Sequence, residues 1–197
     1  MKSKAYAEEF HMKKRAGLFA VIVMAVALVV GITGCKSGPS DEEVIREGVT
    51  TELDKIKNLD DDFLSSVDEG ISSSYSDLGI SAKDFMSAYL DGFDYQVGDI
   101  TVDKDTATVH LTITCKSFND ILSAFTSEYT SAAISSESTD TDSLKKLAGE
   151  TLLKVIPGVG SQPKEVNVTC EKDSDGNWSY ASGVASKITS LLSGSDN

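Results

Sequence analysis

Side chains able to do chemistry are few in this chain. Two histidines (His11 and His110), three cysteines (Cys35, Cys115 and Cys170) and an excess of carboxylates make up the inventory. His110 lies in an alternating stretch and points away from its apolar neighbours. It therefore meets solvent or a helix, and no motif nearby supplies a partner for acid–base catalysis or a nucleophile for a Ser-His-Asp arrangement. Asp173-Ser174-Asp175-Gly176-Asn177 superficially has the composition of a calcium loop. Its glycine comes too early and no glutamate closes the loop at its twelfth position, so a hairpin turn is expected instead. Asp60-Asp61-Asp62 opens a helix, where negative charge suits the dipole without an ion. No metal or cofactor site is expected.

The thiol of Cys35 stands in a different setting. Lys13-Lys14-Arg15 precedes an unbroken apolar run from Leu18 to Val30, and Gly31 and Gly34 then loosen the chain just before the cysteine. The run is too short for an ordinary spanning helix and suits a cleaved export signal, although the uncharged stretch between Arg15 and Lys36 leaves an uncleaved anchor as the alternative. Ile32-Thr33-Gly34-Cys35 resembles a bacterial lipobox: an aliphatic residue, a small one, Gly or Ala, then Cys. The resemblance to substrates of the lipoprotein signal peptidase implies that the Cys35 thiol takes a diacylglycerol group. It also implies cleavage between Gly34 and Cys35, which makes the lipidated cysteine the new N-terminus. Palmitate-type chains would then hold the protein at the cell membrane, facing outside the cytoplasm. The stretch before Met12 carries two glutamates, unusual for an export signal, and Met12 followed by Lys-Lys-Arg makes a more typical start.

The expected organisation is a signal peptide over 1–34, the lipid-bearing cysteine and a short tether over 35–40, and one α+β domain over 41–197. Removing residues 1–34 takes away five basic and two acidic residues, leaving 13 basic against 29 acidic, a net charge of −16. Such a balance disfavours nucleic acid and electrostatic docking on anionic lipid, so membrane attachment must come from apolar or covalent contact, and the lipobox resemblance implies covalent lipid as the membrane partner. Residues 36–39 span roughly 10–15 Å when extended, which keeps the domain close to the bilayer.

With Cys35 acylated, Cys115 and Cys170 become an even pair outside the cytoplasm, both on the inward set of their strands. A disulfide between them would add about 3–4 kcal/mol by restricting the unfolded chain. The alternative is two buried thiols packing as small hydrophobes. Trp178 and Tyr180 share one side of a strand and are candidates for lining a pocket, or simply for the core.

The elements that must position these groups are readable from period and capping. Ser40 with Glu43 has capping-box spacing, and Val44, Ile45, Val49, Leu53 and Ile56 follow as one helical stripe. Residues 58–62 break that helix and start a second with Phe63, Leu64, Val67 and Ile71. A Ser-rich turn then leads to Leu78-Gly79-Ile80, and Ser81 with Asp84 caps a third helix bearing Phe85, Tyr89 and Leu90. Tyr95 to Val102 reads as a strand with a bulge at Gly98. Ala107, Val109, Leu111, Ile113 and Cys115 alternate without a miss. Residues 118–133 and 144–156 are helical, with a polar loop over 135–142. Val166, Val168 and Cys170 form a third strand, the 175–177 turn returns into Trp178 and Tyr180, and a last helix carries Val184, Ile188, Leu191 and Leu192.

Helices first and hairpins later predict an α+β fold, a curved antiparallel sheet of about four strands with helices on one face. Residues 91–117 (DGFDYQVGDITVDKDTATVHLTITCKS) and 173–180 (DSDGNWSY) resemble small Gram-positive lipoprotein domains with cystatin-like or nuclear-transport-factor-like cone folds. That resemblance implies a pocket between helices and sheet and no particular reaction. The expected function is a non-catalytic binding or scaffold domain held at the membrane by lipid. The alternatives are an envelope enzyme using acidic pocket residues and a purely structural acidic surface protein. An apolar pocket favours binding, acids of raised pKa favour the enzyme, and a filled core favours the structural role.

Overall fold

A computed structural model describes residues 38–136 and 140–193. Ile32, Thr33, Gly34 and Cys35, with the whole apolar run, lie outside the described residues.

The first described helix, α1 (Asp41–Lys57), begins as its sequence requires. Ser40 accepts from the Glu43 N–H, and the Glu43 carboxylate accepts from the Ser40 N–H at 2.7 Å, closing the capping box. Its stripe buries Val44, Ile45 and Val49, while Leu53 and Ile56 are half-buried. Helix α2 (Asp61–Ser76) is capped by Asp60, whose carboxylate accepts from the Asp62 N–H at 2.9 Å. It runs on through the serines expected to form a turn, because Val67 and Tyr75 on the same helix are both buried and hold it together. Helix α3 (Ala82–Tyr89) starts on the Ser81 cap and buries Phe85, Met86 and Tyr89. The Phe85 ring stacks on Tyr75 with centroids 4.4 Å apart.

The sheet is open, antiparallel and four-stranded in the order β1-β2-β3-β4, with β1 Asp94–Asp103, β2 Thr106–Lys116, β3 Ser161–Lys172 and β4 Trp178–Tyr180. The register between β1 and β2 shifts between Val97 and Ile100, which is the bulge expected at Gly98. Arg46 of α1 donates to the carbonyls of Val97 and Gly98 at 2.9 and 3.0 Å, so the bulge is also where helix and sheet are joined. Farther along, Tyr95 donates to Asp54 at 2.6 Å and Lys57 meets Asp94 at 2.8 Å, so α1 runs antiparallel to β1.

Strand β3 begins five residues earlier than its apolar alternation suggests. Gln162, Pro163 and Glu165 are poor strand formers, yet they pair with Cys115, Thr114 and Thr112 because β2 is long enough to template them. Pro163 is tolerated because β4 pairs only with Cys170–Lys172 and does not reach it.

Between β2 and β3 two helices form a hairpin, α4 (Phe118–Ser136) and α5 (Thr141–Val155), followed by a 3₁₀ turn at Ile156–Gly158. Within α4, Ile121 is buried and Ile134 is 75% exposed, so the hairpin is anchored at its base. Gly149 of α5 lies against the loop joining α2 and α3: a Cβ there would come within 2.1 Å of the Leu78 carbonyl oxygen. The last helix, α6 (Val184–Ser193), covers the side of β3 that β4 leaves open, with Lys187 donating to the Asn167 carbonyl and Lys164 to that of Leu191, each at 2.9 Å.

Six helices are present among the described residues. Inward residues of β2 and β3 (Val109, Ile113, Val168 and Cys170) join Ile45, Val49, Val67 and Met86 in one core. The opposite sheet face bears exposed His110, Asn167 and Thr169. The expected fold class of an antiparallel sheet with helices on one face is therefore observed.

Candidate functional site

The core is not filled everywhere. A cavity of about 330 Å³ lies between α1, the sheet and α6. Its floor is the inward face of the sheet, Leu111 and Ile113 of β2 with Val168 of β3. One wall is the C-terminal half of α1, where Leu53 and Ile56 complete the helical stripe. Tyr89, Leu90 and Phe93 close another side at the exit from α3. The remaining wall is the turn from β4 into α6. There the Ala181 N–H donates to the Thr169 carbonyl at 2.9 Å, and Gly183, at φ +91°, reverses the chain toward Ile188 and Leu192.

Few polar groups enter this space. Glu52 of α1 does, its side chain only 13% exposed, with Oε1 held by the Lys55 ammonium at 2.9 Å. That bond holds the Lys55 ammonium above the usual lysine range. Tyr89 and Tyr180 also line the cavity. The Tyr89 hydroxyl reaches the carbonyls of Lys116 and Leu192 at 3.5 Å each, whereas the Tyr180 hydroxyl has no hydrogen-bond partner among the described residues. Burial pushes both phenols up from the ordinary value. For Tyr180 the neighbouring Cys170 and Glu52 act in the same direction.

The sequence-expected residues are distributed unevenly around this site. Tyr180 lines the cavity. Trp178, two residues earlier on the same side, does not; it is 2% exposed and donates its indole N–H to Asp41 Oδ1 at 3.0 Å. Lys172 meets the same oxygen at 2.7 Å and lies over the Trp178 ring. Trp178 thus fastens the start of α1 to the β3–β4 hairpin. His110 is exposed on the far face of the sheet.

The disulfide considered for Cys115 and Cys170 is not formed; both thiols are free and buried. Register gives the reason. Cys170 pairs with Ala107, and Cys115 pairs with Gln162, eight positions along the same strand. At about 3.3 Å per residue the two lie about 26 Å apart, far beyond disulfide reach. Burial pushes the Cys170 thiol up to about 11 and raises Cys115 as well, with Lys164 opposing the shift at Cys115.

The Asp173 carboxylate is occupied by its own turn, accepting from the N–H groups of Asp175 and Asn177 at 2.9 Å each. Hydrogen bonds hold five carboxyls below the ordinary range: Asp41 through Lys172 and then Trp178, Glu43 through Ser40, Asp94 through Lys57, Asp140 through Ser143, and Asp173 through Asn177. None of the five lines the cavity. Among the described residues no three His, Cys, Asp or Glu side chains gather as a metal site, and no helix is long and apolar enough to cross a membrane.

Sequence reasoning missed Glu52, which stands in a helix otherwise read only for its apolar stripe. Its place three residues before Lys55, beside Leu53, was the available signal.

No family model matches the chain, and no curated protein matches it. Among solved structures the chain is similar to a candidate lipoprotein, ycdA, from Bacillus subtilis, at 17% identity and a TM-score of 0.45. The match covers 72% of this chain and 46% of that one, so the chain spans about half the length of that protein.

Proposed function

We propose that this protein is a lipid-anchored extracytoplasmic binding protein whose domain holds a small, largely apolar ligand between helices and sheet. The cavity carries this reading. Its volume falls within the range of small-molecule sites, and its walls are aliphatic and aromatic with few polar groups among them. A scaffold role would not require such a space, and the carboxyls of shifted pKa lie outside it and are all lowered. The anchoring half rests on the order Ile32-Thr33-Gly34-Cys35 behind a basic and then apolar leader.

Two measurements test the two halves. Native mass spectrometry of the purified full chain is expected to show a small bound molecule that organic solvent releases. A chain carrying no such mass from any expression host counts against the binding role. Labelling with radioactive palmitate is expected in the wild type and absent in Cys35→Ala; label retained in that variant refutes the anchor.

A further inference from the structure

The polar groups of the cavity carry information about the ligand, and this inference rests on the binding role just proposed. Glu52 is the one ionisable carboxylate among the lining residues. Lys55 engages its Oε1, and Oε2 has no hydrogen-bond partner among the described residues. The aromatic rings of Tyr89, Phe93 and Tyr180 line the same space. Aromatic rings attract cations, and a carboxylate as little exposed as Glu52, with Tyr180 close enough to feel its charge, does so more strongly. An anionic head placed there would meet Glu52 in a poorly solvated wall, with a strongly acidic domain around it. No lysine or arginine lines the cavity to receive it.

We propose that the cavity selects a small apolar ammonium compound. Its body packs against Leu53, Ile56, Leu111 and Ile113, while its head is held by the free Glu52 oxygen and the Tyr180 hydroxyl. Lys55 keeps Glu52 oriented, so the ligand completes a pair of hydrogen bonds on a carboxylate that is already positioned. The phenol of Tyr180, protonated at neutral pH, accepts from the ammonium without adding charge.

Titration calorimetry on the full chain in lipid nanodiscs, with empty nanodiscs as the reference, tests this with three probes. These are 2-phenylethylammonium, 2-phenylethanol and 3-phenylpropionate, which share a ring and similar reach but differ in head charge. The ammonium is expected to bind at least about tenfold more tightly than the carboxylate, with the alcohol between them. Glu52→Gln is expected to bring the ammonium down to the affinity of the alcohol. Tyr180→Phe is expected to weaken the ammonium a few-fold while the order is kept, and it serves as the second variant should Glu52→Gln fail to fold. Equal affinities, a preference for the carboxylate, or a preference that survives Glu52→Gln overturns the head-group assignment and leaves the apolar cavity standing. An unchanged affinity in Tyr180→Phe removes the hydroxyl from the site. Failure of all three probes to bind overturns the cavity reading itself, and this inference with it.

Discussion

At the scale of single residues, environment decides what the reactive groups do. Cys115 and Cys170 have the chemistry for a disulfide, yet β2 separates them by most of its length and burial suppresses their thiolates. Alkylation under native conditions is therefore expected to be slow at both. Intact mass is expected to be the same with and without reductant, and a two-proton mass gain on reduction would contradict the register. Asp41 illustrates the opposite case, a carboxylate kept charged by its partners Lys172 and Trp178. Because its folded pKa lies below the unfolded value, its contribution is fully present above about pH 4 and is lost as pH falls through the folded value. The side chain is 42% exposed, so solvent screening limits the expected loss in Asp41→Asn to about 1 kcal/mol or less at pH 7. Urea unfolding at pH 7 and again in strong acid checks this, and the difference should disappear in acid.

Among the elements, what could be read in the sequence and what could not divide along a physical line. Helix starts were legible because capping is local: Ser40 with Glu43 and Ser81 with Asp84 bond within one turn. The face of β2 was legible because alternation is also local. Alternation says which side a residue takes but not how far along the partner strand it falls, and so the sequence left a Cys115–Cys170 disulfide and two buried thiols equally open. The same limit separates Trp178 from Tyr180. Both point inward, but only the position of α1 determines that one meets Asp41 and the other the cavity. Close approaches between elements were likewise invisible. Gly149 reads as a modest defect in α5, and replacing it with Ala would by propensity gain about 1 kcal/mol. The Leu78 carbonyl at 2.1 Å from the added carbon reverses that sign, since backbone must move to make room. Gly149→Ala is expected to cost about 1–3 kcal/mol in urea unfolding. Gly158→Ala, with nothing within 4 Å of the new carbon, is expected to stay within about 0.5 kcal/mol of wild type.

For the molecule as a whole, the proposed anchor precedes α1 in the chain and the proposed ligand-binding carboxylate lies in the second half of that helix. The start of α1 follows the proposed lipid-bearing cysteine by a few residues and is pinned to the β3–β4 hairpin through Asp41. Glu52 lies 11 residues farther on, about 16 Å along the helix axis. Under the proposed anchoring, the membrane end of the domain is the capped start of α1. The cavity wall at Glu52 is then set back from that end of the helix. The acidic surface discourages the domain from settling onto anionic lipid, which suits a site that must stay accessible. A pocket between helices and sheet was expected from the family resemblance, while whether its walls are apolar was left open. Its polar groups were not legible, because Glu52 and Tyr180 lie more than a hundred residues apart in the chain.

The proposed binding role requires the cavity to be a receptacle rather than a packing fault, and thermal unfolding of two proteins tests that most directly. With 2-phenylethanol added, the full chain in nanodiscs should melt at a higher temperature, rising with concentration as a site-specific ligand requires. Ala181→Phe, which fills the space from the wall leading into α6, should melt at the same temperature with and without the compound. Equal shifts in both proteins, or no shift in the wild type, would contradict the account.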